Sequence, residues 1–161
     1  MNTEFSEIYE LFENLMQDHP DYFELGVAVE ELTQKEIVKI INKKNLQVIK
    51  TTLPILQLYL VPQHGVNFTE ADYDGEEFLF ELNSIEKRMV AEAMRITVLK
   101  DGAMQLAETR LYVKGDIKTY SPNEGRKSYM DYLYNYKKDF KGLVASYNLR
   151  VRGEGAFIFG Y

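Results

Sequence analysis

The stretch from Tyr120 to Asn148, YSPNEGRKSYMDYLYNYKKDFKGLVASYN, most constrains what this chain can fold into. Ser121 is placed as an N-cap, Pro122 takes a first helical position where its missing N–H costs nothing, and Glu124 completes a capping box. Beyond that start, Tyr129, Leu133, Tyr136, Phe140, Leu143 or Val144, and Tyr147 recur at steps of three and four, which places them on one helical stripe. A long helix with an aromatic stripe needs a large apolar partner. The expectation is a mainly α protein, a helical bundle built on this one long C-terminal helix with short extended segments beside it.

The partners come from earlier in the chain. Thr3 is positioned to cap a first helix whose apolar face is Phe5, Ile8, Phe12 and Leu15 with Met16, while Glu4, Glu7, Glu10 and Glu13 take the other side. Asp18-His19-Pro20-Asp21 ends it, and Tyr22, Phe23 and Leu25 read as a connector tucked onto the core, with Gly26 as a pivot. Thr33, Glu36 and the Leu32/Ile37 staple predict a helix from Gln34 to about Lys44. The run NLQVIKTTLPILQLYLVPQ mixes β-branched residues with the helical spacing of Leu46, Ile49, Leu53, Leu56 and Leu60. A helix broken near Pro54 is favoured over a hairpin through Thr51–Pro54.

Turn formers dominate from Pro62 to Gly75, so 62–77 reads as a loop that could divide the 1–148 domain. Phe78, Phe80 and Leu82 suit an extended segment. Asn83 and Glu86 then open a helix with Ile85, Met89, Ala93, Ile96 and Leu99 or Lys100 on one line, stopped by Asp101-Gly102. A shorter helix is expected over Met104, Leu106, Ala107, Arg110 and Leu111. The tail 149–161, with three glycines and terminal aromatics, reads as an extended arm.

With 161 residues the chain can bury a real core as one domain. It has no cysteine, which excludes thiolate metal sites, iron–sulfur clusters and cysteine nucleophiles. An acidic N-terminus without an apolar signal core, and no apolar run of spanning length, predict a soluble protein with no membrane segment. The net charge of −6 conceals blocks: 1–34 hold nine acids and no Lys or Arg, 35–65 come to +4, 66–85 hold six acids and no base, and 86–161 come to +5. Segregated charge of this kind suits docking or self-assembly if each block stays together in the fold; chance runs of Glu on solvated helices are the plain alternative.

Few constellations could carry chemistry. Glu70, Asp72, Asp74, Gly75 and Glu81 fall on positions 1, 3, 5, 6 and 12 of a calcium-loop count. Glu at position 1 and the absence of a preceding helix favour an acidic solvated loop over a calcium site. His19 and His64 stand alone beside prolines, as turn or surface residues would. Phosphate-loop, nucleophile-elbow and zinc-protease patterns are missing, so no cofactor is assigned and an enzyme is not expected. Arg126, Lys127, Lys137, Lys138 and Lys141 interleave with tyrosines as in single-strand binders. Half of those tyrosines lie on the packing stripe and the chain is acidic, which argues against nucleic-acid affinity.

LPILQLYLVP, an acidic loop, FLFELNSIEKRMVAEAMRITVLKD and YVKGDIKTYSPNEGRKSYMDYLYNYKKDFKGLVASYN together resemble the head–tail connector (adaptor) proteins of tailed bacteriophages over roughly residues 50–148. The matching positions are Phe80 to Ser84, Met94, Asp116 to Ser121 and Tyr147. Ile117 replaces a usual Phe, and Pro122-Asn123 departs from the pattern. The resemblance implies a virion structural protein of the neck, assembled in the host cytoplasm. It implies a homo-oligomeric ring, meeting the portal protein and the next neck or tail ring, through which double-stranded DNA passes without sequence-specific binding. An acidic lumen would let the phosphate backbone slide. Partner contacts are then expected from the arm, through Arg150, Arg152, Phe157, Phe159 and Tyr161, and from Tyr132 and Tyr134 on the outer face of the long helix, beside Met130 and the lysines. The rival expectation is a small acidic inhibitor, a DNA mimic or regulatory binding protein of phage or mobile-element origin.

Overall fold

The computed structural model describes residues 2–23, 32–60, 66–112 and 122–149, with side chains described outside 20–21, 102–112 and 122–129. Its elements run β1 (Thr3–Glu4), α1 (Phe5–Leu15), a 3-10 turn (Pro20–Phe23), α2 (Gln34–Gln57), β2 (Ala71–Asp72), β3 (Glu77–Phe78), α3 (Ser84–Tyr112) and α4 (Pro122–Asn148). The protein is mainly helical, with few and short strands, as the periodicity predicts.

The bundle is organised around α3, which packs against each of α1, α2 and α4. Met89, Val90, Ala91, Ala93 and Met94 are all buried, so in this segment the helix has no solvent side. Ala91 and Ala93 keep its surface small where neighbours approach. Met89 and Met94, unbranched and adaptable, fill the gaps between them. α1 contributes Phe5, Ile8, Phe12 and Met16; α2 contributes Ile49, Leu53 and Leu56; α4 contributes Phe140, Val144 and Tyr147. The long C-terminal helix is thus one of three helices laid on a hub, with Leu133, Phe140, Val144 and Tyr147 of the expected stripe buried.

Thr3 does not cap α1. Its backbone pairs with Phe78 in a small antiparallel sheet of order β1-β3-β2, and its hydroxyl accepts a hydrogen bond from the Leu82 N–H at 2.8 Å. Glu4 takes the N-cap position without a side-chain cap hydrogen bond. The loop expected over 62–77 is, from Ala71 on, a hairpin: Ala71 faces Phe78 and Asp72 faces Glu77. Its turn holds because Asp72 Oδ1 accepts the Asp74 N–H at 3.0 Å, and a side chain at Gly75 would come within 2.7 Å of Asp72 Oδ2. Glu76 follows with a positive φ of 55° and offers its carbonyl to the Phe5 N–H at 2.8 Å. The hairpin therefore seats α1, and Phe5, Phe68 and Phe78 meet edge-on behind it.

α2 is continuous from Gln34 to Gln57, with Pro54 inside it and no hairpin at Thr51. Proline removes the bond to the carbonyl four residues back, here that of Lys50. Both residues are exposed, so water can satisfy that carbonyl. α3 likewise does not stop at Asp101-Gly102 but continues to Tyr112. Two of the three predicted capping boxes are present, and the third, Ser121 with Glu124, lies outside the described residues and side chains. The Thr33 hydroxyl and the Glu36 carboxylate serve each other's backbone N–H, and Asn83 and Glu86 do the same. A buried polar relay fastens the 3-10 turn: the Tyr22 hydroxyl donates to Asn45 at 2.7 Å, and Asn45 donates to Glu13 at 2.8 Å. Asn45 and Thr52, polar and fully buried on α2, are satisfied in this way and by a Thr52 bond to the Val48 carbonyl.

Candidate functional site

Residues Leu133, Phe140, Val144 and Tyr147 point α4 at the bundle, which leaves it two flanks. On one lie Tyr132 and Tyr136. Tyr132 and Tyr136 stack with ring centroids 6.2 Å apart, and the His19 ring meets both edge-on at 5.5 and 6.1 Å. The Tyr136 hydroxyl lies 3.4 Å from His19 Nε2, and the Arg95 guanidinium covers the Tyr136 ring at 3.5 Å. Arg95 is itself paired with Glu92 one turn before it on α3, both nearly buried. Burial pushes the Tyr136 phenol above its ordinary pKa, with Arg95 acting in the opposite direction. His19 does sit in the turn after α1, but it is 6 % exposed and is no surface residue. Packed rings and a cation held over one of them make this a clamp between the α1 turn, α3 and α4.

The other flank carries Met130, Tyr134, Lys137 and Lys141, all exposed. Beside it stand Ile55 in the last turn of α2 and Leu58 and Tyr59 just after it, of which Leu58 is 85 % exposed. Tyr59 packs edge-on against Phe140 at 6.0 Å, and its carbonyl accepts from Asn148, so the ends of α2 and α4 lie together. Between them opens a cavity of about 70 Å³, walled by Ile55, Tyr59, Ile96 and Phe140, with Lys137 and Lys141 beside it. Thr52 donates to Thr97 at 3.1 Å on the same lining. That volume suits an apolar side chain better than a metabolite. No side chain in the lining is a nucleophile paired with a base. A second, wider depression of about 520 Å³ lies between α1 and α3 and is lined by Leu11, Asn14, Leu15, Ser84, Lys87, Arg88 and Ala91. At its edge Lys87 pairs with Glu7 at 2.6 Å.

Of the predicted partner residues, the two that are described fall on different flanks of α4. Tyr134 is 70 % exposed on the open flank, whereas Tyr132 is half-engaged by His19. Arg150, Arg152, Phe157, Phe159 and Tyr161 lie outside the described residues, as does His64. Glu70, Asp72, Asp74 and Glu81 do not assemble as a calcium loop. The hairpin spends Asp72 on its own turn, Glu70 accepts from the Asn67 amide, and among the described residues no group of three or more Asp, Glu or His could hold a metal. Ile55, Leu58 and Tyr59 went unmarked in the sequence as surface residues. The available signal was that none of them falls on the Leu46, Ile49, Leu53, Leu56, Leu60 line. Comparison with models of known protein families, with curated proteins and with solved structures finds no match for this chain.

Proposed function

We propose that this chain is a non-catalytic assembly subunit, a ring-forming connector at the portal–tail junction of a tailed-phage virion, through which DNA passes. The observation that carries the reading is the surface shared by the end of α2 and the open flank of α4. There Ile55, Leu58, Tyr59, Met130 and Tyr134 are exposed together with Lys137 and Lys141. Large apolar residues in such number on one side of a small protein, rimmed by charge, are the anatomy of a protein-binding patch. Support also comes from exposed charge of opposite sign at two places in the fold: Glu4 and Glu10 near the start of the chain, and Lys137, Lys138 and Lys141 on α4. The resemblance over residues 50–148 supplies the phage setting, and the 149–161 arm supplies a segment to grip a neighbouring ring.

Deleting residues 149–161 tests the role. The truncated protein should keep its helical circular-dichroism spectrum yet be missing from purified particles. Its normal incorporation into infectious virions would end the connector reading. Light scattering then separates the rival: an acidic inhibitor stays a monomer or dimer with its target, whereas a connector joins rings when portal protein is added.

A further inference from the structure

Two depressions lie on opposite sides of the hub. The wider one uses Ser84, Lys87, Arg88 and Ala91 of α3, and the smaller uses Ala93, Ile96 and Thr97. At about 100° per residue the two sets are centred roughly half a turn apart. One side of the protein thus presents α1, the other the α2/α4 surface. The exposed row that runs from the end of β1 onto α1 carries Glu4, Glu7 and Glu10, of which Glu7 is already paired with Lys87, and next to Glu10 stands one exposed large apolar side chain, Leu11. The α2/α4 side is its converse, an apolar hollow between Ile55, Tyr59 and Phe140 beside Lys137 and Lys141, with exposed Lys100 on the same side of α3. Glu10 directly precedes Leu11 on α1, and Lys137 and Lys141, about 6 Å apart along the α4 axis, stand beside the hollow, so a carboxylate can meet an ammonium group next to the apolar anchor.

We infer that the α2/α4 hollow receives the α1 face of a second copy of this chain, Leu11 entering between Ile55 and Tyr59 while Glu4 and Glu10 face Lys137 and Lys141. This deepens the proposed assembly role and rests on it, because it names the contact by which subunits join. The two halves of the contact sit on opposite sides of one protomer, so the contact is head-to-tail. Such contacts close into rings or run on as filaments, in contrast with the self-complementary face of a two-fold dimer. Opposite charge sets the register and hastens encounter, and Leu11 supplies the apolar anchor.

Charge reversal in the full chain tests this. In variant one, Lys137→Glu/Lys141→Glu, both faces are acidic; in variant two, Glu4→Lys/Glu10→Lys, both are basic. All four positions are exposed, so each variant should keep the wild-type melting temperature within a few degrees. By sedimentation velocity the wild type should associate, less so at high salt, and each variant alone should associate at least about tenfold more weakly. An equimolar mixture should regain association, since in an alternating array every contact again joins opposite charges. A wild type that stays monomeric at every concentration overturns the inference, as do variants that associate like wild type or a mixture that does not recover. Particle incorporation keeps the two readings apart. If variant one still enters virions normally, the interface is wrong while the connector role stands. If the mixture recovers but the wild-type chain is never found in particles, the interface stands and the connector role falls.

Discussion

α3 and α4 are nearly equal in length, yet they do opposite work. From Met89 to Arg95 every residue of α3 is buried, whereas on α4 buried Leu133, Phe140, Val144 and Tyr147 alternate with exposed Tyr134, Lys137, Lys138 and Lys141. An amphipathic stripe marks a helix that lies on something; a helix buried all round is the thing lain upon. The stronger sequence pattern therefore belongs to the less central helix. The hub's buried charges lean on partners inside the protein, although Arg95 Nε is buried without a hydrogen-bond partner, while the polar groups of α4 can turn to water or to a partner. Glu86, Glu92 and Arg95 on α3 illustrate the first case: Glu86 accepts from the Tyr147 hydroxyl at 2.7 Å and from the Asn83 N–H at 2.8 Å, and Glu92 holds Arg95.

The hardest test of that contrast is to remove one member of the buried pair. Arg95→Ala leaves Glu92 buried against the bundle, strips the cation from the Tyr136 ring, and should cost about 3–5 kcal/mol in urea unfolding. Arg88 also reaches Glu92 at 3.9 Å, but it is largely exposed and its solvated pairing offsets little of the loss. Replacing both residues, Glu92→Leu with Arg95→Leu, should recover most of the loss, because the uncompensated charge is the main penalty. A double variant no more stable than Arg95→Ala would show that the hub tolerates polar groups as α4 does.

Two methionines sharpen the same point with one chemistry. Met94 is fully buried on α3 and Met130 is 47 % exposed on α4. Met94→Ala should lower stability by about 2–5 kcal/mol. Met130→Ala should change it by less than about 0.5 kcal/mol in the monomer, its effect appearing in self-association instead. Equal losses at the two positions would erase the distinction between hub and rim.

What the sequence made legible was local. The Thr33/Glu36 and Asn83/Glu86 capping boxes, the faces of α1 and α4, and the helical character of 46–57 follow from spacing that involves neighbours three or four residues away. What it concealed was long-range. Thr3 looks like a cap, and only Phe78, far along the chain, makes it a strand residue. Asp101-Gly102 reads as a stop, but a glycine inside a helix costs only about 1 kcal/mol, and the residues after it are good helix formers. Asp72, Asp74 and Gly75 fit a calcium loop and a tight hairpin turn equally well, and the pairing with Glu77 and Phe78 decides between them. His19 beside Pro20 reads as a turn or surface residue, whereas its surroundings are Tyr132 and Tyr136. The exposed apolar patch is half legible, since Tyr134 and the lysines fall off the α4 stripe, but their placement beside Ile55 and Tyr59 requires the fold.

The mildest test compares one motif in two settings. The Asn83/Glu86 box opens the hub helix with Glu86 fully buried, and the Thr33/Glu36 box opens α2 where its first turns are mostly exposed. Asn83→Ala should cost about 0.5–2 kcal/mol, and Thr33→Ala should shift the urea midpoint by less. The exposed box should also respond to pH in a defined sense. Hydrogen bonds from the Thr33 hydroxyl and then its N–H hold the Glu36 carboxyl below the ordinary glutamate range. As pH falls, the unfolded chain takes up this proton before the folded one. The contribution of the box is therefore complete above the ordinary glutamate pKa and is lost as pH drops through the lowered folded value. The gap between wild type and Thr33→Ala should then be open at neutral pH and narrow in acid. A gap that stays constant would mean that Thr33 acts on α2 through its own cap alone, without the carboxylate.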